Sequence, residues 1–147
     1  MQIKTIYNPT ASYLALYVGF SRCNFHHIKG RQIAEDLDSW LSLSHPNWIR
    51  AMKLLEKTPM SRIKFSAFWL DKNGKIRIEN KMENVLLCAM DSVAQRFPQG
   101  WGYTRPQELL RAVRGLLISH YGECWKFAEG DYRDRRHNRP RITARIE

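Results

Sequence analysis

The chain has 147 residues, with 24 Lys and Arg against 14 Asp and Glu, giving a formal net charge of +10. A hydrophobic share of 44% lies in the globular range, which excludes wholesale disorder and suits one domain with a real core. No apolar run approaches the roughly 18–20 residues a membrane helix needs, and three cysteines are too few and too uneven for a disulfide framework. The expectation is a cytoplasmic protein with reduced thiols. The charge is not a tail: residues 1–60 and 61–103 each carry 7 basic and 4 acidic side chains, and residues 104–147 carry 10 and 6. Any basic face must therefore be assembled by folding.

Taken in chain order, Gln2–Tyr7 and Ser12–Phe20 read as two strands around the turn signal Asn8-Pro9-Thr10. The second is apolar on both faces, which suits a strand buried in the middle of a sheet. Ser21–Gly30 is a polar loop. A helix over about Arg31–Leu43 places Ile33, Leu37, Trp40 and Leu41 inward and Glu35, Asp36 and Asp38 outward. Pro46 suits the first turn of a second helix, to about Lys57, with Trp48, Ile49, Met52 and Leu55 inward.

Ser61–Leu70 and Lys75–Asn80 alternate around Asn73-Gly74, a strong hairpin signal. A two-residue loop pairs Trp69 with Ile78, and a four-residue loop pairs Trp69 with Ile76. Either register puts Ile63, Phe65, Ala67 and Trp69 on one face with Ile76 and Ile78. Arg62, Lys64, Ser66, Phe68, Lys75, Arg77 and Glu79 then share the other. Met82–Phe97 reads as a helix stopped by Pro98. Thr104 and Gln107 form a capping-box pattern opening another, to about Phe127. Arg141–Ile146 alternates once more and can add a final edge strand. The fold class expected is α+β: an antiparallel sheet from two β-hairpins, order ββααββαα, with about four helices packed on it. Residues 1–130 form the compact domain, and 131–147 an arginine-rich segment that is an edge strand or orders on binding.

Three patches can carry the positive charge to a partner. The hairpin's polar face offers Arg62, Lys64, Lys75 and Arg77 with Phe68, cations for phosphates and a ring for a base. An ordinary solvated hairpin face has the same composition. The Gly100–Arg105 loop places Trp101, Tyr103 and Arg105 at a helix start, where unsatisfied N–H groups favour anions. The two rings can equally cover the core. Between Tyr132 and Arg145 stand six arginines, of which Arg133, Arg135, Arg136, Arg139 and Arg141 are the candidate phosphate contacts. A solubilising tail is the plain alternative.

Metal and enzyme signals are thin. Cys23-x-x-His26 and His120-x-x-x-Cys124 have zinc-ligand spacing, but core cysteines and hydrogen-bonded histidines explain them equally, so no metal or other cofactor is assigned. No nucleotide-loop, nucleophile-elbow or zinc-protease motif is present. His26 and His27 are the only acid–base candidates, for a small metal-independent ribonuclease. Two outward arginines, Arg111 and Arg114, are too few to prefer a membrane surface. The expected function is phosphate-dominated nucleic-acid binding with aromatic stacking. The alternative is a protein–protein module, an inhibitor or accessory factor of phage or mobile-element type, docking on an acidic protein or a nucleoprotein complex through Trp, Tyr and Arg anchors.

Overall fold

Among the described residues, four antiparallel strands carry the helices on one face of the sheet. The computed structural model describes residues 4–21, 28–71, 73–93 and 140–147. In chain order these form β1 (Lys4–Tyr7), α1 (Thr10–Ser21), α2 (Ile28–Ser44), α3 (Trp48–Glu56), a 3₁₀ turn (Met60–Arg62), β2 (Ile63–Leu70), β3 (Ile76–Glu79), α4 (Met82–Val93) and β4 (Arg141–Ile146). The sheet order is β1-β4-β2-β3. The α+β class with an antiparallel sheet is as the sequence indicates. The expected helix from Thr104 lies outside the described residues.

The segment read as a central strand, Ser12–Phe20, is the central helix instead. Buried residues lie all around α1, from Thr10 to Phe20, with only Tyr17 half-buried before the exposed terminal Ser21. A helix apolar on every side is one enclosed by neighbours, and α1 packs against α2, α4 and β4. A continuous apolar run has no period to separate strand from helix; its length of 12 residues is the better guide. The Tyr13 N–H bonds the Pro9 carbonyl at 3.2 Å to begin the helix. The hydroxyls of Ser12 and Ser92 both donate to Asn8 Oδ1, pinning the β1–α1 corner to α4.

Two further side chains depart from the expected pattern. Asp38, placed outward by the α2 periodicity, is half-buried and accepts the Trp48 indole N–H at 2.8 Å. Ile49, placed inward, is 51% exposed. The α3 stripe runs through Trp48, Ala51, Met52 and Leu55, and Ile49 stands about 100° from Trp48 around the helix. Tyr13 meets Trp40 and His45 edge-on, and Tyr17 meets Trp48 likewise, locking α1 to α2 and α3.

With Ser12–Phe20 helical, the first hairpin disappears. β1 pairs with β4, Lys4 opposite Ile146 and Tyr7 opposite Thr143. β4, expected at an edge, lies between β1 and β2. Its alternation buries Ile142, Ala144 and Ile146 on the helix side.

The second hairpin is present, but its register is neither of the two expected. Asp71 N–H bonds the Lys75 carbonyl at 2.8 Å, which leaves a three-residue loop, 72–74. Gly74 closes it at φ 79°, the left-handed position such loops require. Asp71 Oδ1 accepts the N–H groups of Asn73 and Lys75 at 2.8 and 2.9 Å, so the aspartate is the template of the turn. An odd loop shifts the pairing by one residue, and one residue exchanges the faces of β3. Trp69 lies opposite Arg77, and Phe68 opposite Ile78. Ile76 and Ile78 therefore leave the core face for the solvent face.

Candidate nucleic-acid interface

The sheet face turned away from the helices collects the cations that the sequence scatters. β4 supplies Arg141, Thr143 and Arg145 to this face, and β2 supplies Lys64, Ser66 and Phe68. In register, Arg145 is opposite Lys64, Thr143 opposite Ser66, and Arg141 opposite Phe68. β1 adds Thr5 beside Arg145 and Tyr7 beside Thr143. Neighbours in a row are about 4.8 Å apart and successive rows about 6.7 Å, so the patch is a grid of cations and rings. Among the described strand residues, no Asp or Glu lies on this face.

Lys64, Arg141 and Arg145 are exposed, Tyr7 is 68% exposed, and Phe68 is half-buried. Arg145 has Glu147 at 3.5 Å as a partial counter-charge. Arg62 sits in the 3₁₀ turn, where its Nε donates to the Glu147 carbonyl, and Glu147 N–H returns a bond to the Arg62 carbonyl at 2.9 Å. That exchange fastens β4 to the start of β2. Beside the grid, a cleft of about 500 Å³ opens between Lys64, Arg145, Ser66 and Met82, with Ser66 donating to Asn80 Oδ1 at 2.8 Å.

The structure brings together only part of the expected hairpin patch. Lys64 and Phe68 remain on the face, and Lys75 is exposed at the hairpin tip. Arg77 does not join them. The register turns it to the opposite side, where its Nε lies 3.7 Å from Asp71 Oδ2. The Asp71 carboxyl is held below the ordinary range, first by the Lys75 N–H, then by the Asn73 N–H and the nearby Arg77 and Lys75 charges, against some opposing desolvation. Ile76 and Ile78 take the places expected of Lys75 and Arg77, at 70% and 66% exposure.

Arg141 belongs to the grid, joined there by Arg145 and Tyr7, which sequence reasoning did not select. The signal for Arg145 was present in the Arg141-x-Thr143-x-Arg145 alternation, once β4 is placed inside the sheet. Trp101, Tyr103, Arg105, Arg133, Arg135, Arg136 and Arg139 lie outside the described residues. So do the acid–base candidates His26 and His27 and the metal candidates Cys23, His26, His120 and Cys124. Among the described residues, no helix is long and apolar enough to cross a membrane. The chain matches no protein-family model, no curated protein and no solved structure.

Proposed function

We propose that the open sheet face binds single-stranded nucleic acid. The observation that carries this reading is the β2–β4 register. It sets Arg141 against Phe68 and Arg145 against Lys64 on a face free of strand carboxylates. Cations of this kind neutralise phosphates, and exposed ring faces on a flat sheet stack bases regardless of sequence. Tyr7, one row from Arg145, gives a second ring. The grid strands carry no Asn or Gln to pair with adenine edges, and their arginines clamp phosphate oxygens as readily as a guanine edge, so contacts to phosphate are expected to dominate.

Fluorescence anisotropy with short labelled DNA and RNA strands, measured across salt concentration, tests the reading. Log K is expected to fall linearly with log salt. Arg141→Ala reduces that slope by about one unit. Phe68→Ala weakens binding by about 1–3 kcal/mol with the slope unchanged, since it removes stacking and no charge. Absence of binding at low salt overturns the proposal.

The hairpin end favours a protein contact as a second reading. Leu70, Ile76 and Ile78 are exposed together beside Phe68, an apolar corner that phosphate binding does not use.

A further inference from the structure

We infer that two copies of the chain associate through β3, joining their sheets edge to edge. Among the described residues, β3 is the terminal strand of the sheet. The bond from Asp71 N–H to the Lys75 carbonyl sets the phase of the β2–β3 ladder. Hydrogen-bonded pairs recur at Trp69–Arg77 and Ala67–Glu79, so the backbone groups of Arg77 and Glu79 point toward β2. Those of Ile76 and Ile78 point away from the sheet, toward the edge where another strand can bond.

The sequence of β3, Ile-Arg-Ile-Glu, suits a second copy of itself. In an antiparallel pairing centred on Ile78, the two Ile78 residues face each other and exchange both backbone bonds. Arg77 of each copy then lies opposite Glu79 of the other, twice by symmetry. Pairing centred on Arg77 instead opposes two arginines and is disfavoured. The Ile78-centred register also brings the exposed Ile76 and Ile78 of the two copies onto one face. Ile76–Glu79 carries no proline, and its two charges, Arg77 and Glu79 on the helix side, which repel an unmatched strand, are complementary in this register. Four residues make a short ladder, so the association is reversible and concentration-dependent.

Sedimentation equilibrium of the full chain over a hundredfold concentration range reads the dimer directly. Arg77→Glu and Glu79→Arg are each expected to remain monomeric where the wild type is dimeric, because each sets like charges opposite one another. An equimolar mixture of these two variants is expected to dimerise again, since the two acids of one β3 then meet the two cations of the other. Ile78→Lys, at an exposed position that leaves the fold intact, weakens self-association at least about tenfold, equal to about 1.4 kcal/mol. Lys64→Ala/Arg145→Ala retains the dimer, which separates this surface from the nucleic-acid face. A wild type that stays monomeric throughout overturns the inference. So does a mixture no more associated than its components, or an Ile78→Lys variant that dimerises as the wild type does.

Discussion

Lys64 and Arg145 stand directly opposite each other on the two central strands, β2 and β4, both exposed on the face away from the helices. Like charges at opposed positions of a ladder destabilise a sheet. Glu147, 3.5 Å from Arg145, relieves part of this. An anionic ligand between the two would relieve the rest, so folding and binding should pull in opposite directions here. Lys64→Thr is expected to leave the melting temperature unchanged or raise it slightly, and to weaken nucleic-acid binding with a salt slope smaller by about one. Thermal melts and anisotropy titrations on the same preparation check both halves. A variant less stable than the wild type with unchanged affinity would show that Lys64 serves the fold alone.

The pair Asp38–Trp48 makes the reverse case, a polar contact that serves the fold. The Trp48 side chain is fully buried, and its indole N–H reaches Asp38 Oδ1 at 2.8 Å between α2 and α3. Asp38→Ala leaves a buried donor without an acceptor, at about 1–3 kcal/mol. Glu35→Ala, on the exposed side of the same helix, is expected to stay within about 0.5 kcal/mol. Urea unfolding of the two variants gives the comparison, and similar midpoints for both would remove the assigned role of the contact.

The difference between α2 and the rest shows what the sequence makes legible. Leu37 and Leu41 recur at helical spacing with Glu35, Asp36 and Asp38 interspersed along the same stretch, so the periodicity alone places the helix and most of its buried face. α1 carries no such contrast, because its neighbours cover it on all sides. The hairpin is readable as a hairpin from Asn73-Gly74 and its alternating flanks. Its register is not, because Asp71 sets a three-residue loop through its own side chain, and one residue of slip exchanges Arg77 with Ile78. The site inherits both differences. Lys64, Phe68 and Arg141 are visible as cations and a ring. Their assembly depends on β4 entering the sheet between β1 and β2, a long-range pairing that no local pattern encodes.

The Asp71 turn gives a pH dependence with a definite sign. Hydrogen bonds from the Lys75 and Asn73 amides, with the Arg77 charge, lower the carboxyl's pKa in the folded state. A depressed pKa contributes stability that is fully present above the unfolded-state value. It is lost as pH falls through the lower folded-state value. Asp71→Asn keeps an oxygen for both amides and loses only the charge, whereas Asp71→Ala loses the template as well. At neutral pH the expected order of stability is wild type, then Asp71→Asn, then Asp71→Ala. The gap between the wild type and Asp71→Asn closes in acid, below the ordinary aspartate range, while the gap to Asp71→Ala persists. Chemical denaturation at several pH values between about 7 and 2.5, spanning that range, checks this. A wild-type advantage over Asp71→Asn that grows in acid would reverse the sign.

Gly19 allows α1 to lie close under α4. A Cβ built there would stand 2.9 Å from Leu86 Cδ1 and nearer still to Cδ2, and Leu86 is fully buried with little room to turn. Alanine gains about 0.5–1 kcal/mol in a helix relative to glycine, but overpacking a tight core costs about 1–3 kcal/mol. The overpacking term is the larger, so Gly19→Ala is expected to destabilise by about 0.5–2 kcal/mol. Leu86→Ala alone leaves a cavity and costs about 2–5 kcal/mol. In the double variant the new methyl group occupies part of that cavity and the clash is gone, so the two losses combine to less than their sum. A double-mutant cycle by urea unfolding measures this coupling. Additive losses would mean that Leu86 turns aside at no cost, and that the α1–α4 contact is not the reason glycine stands at position 19.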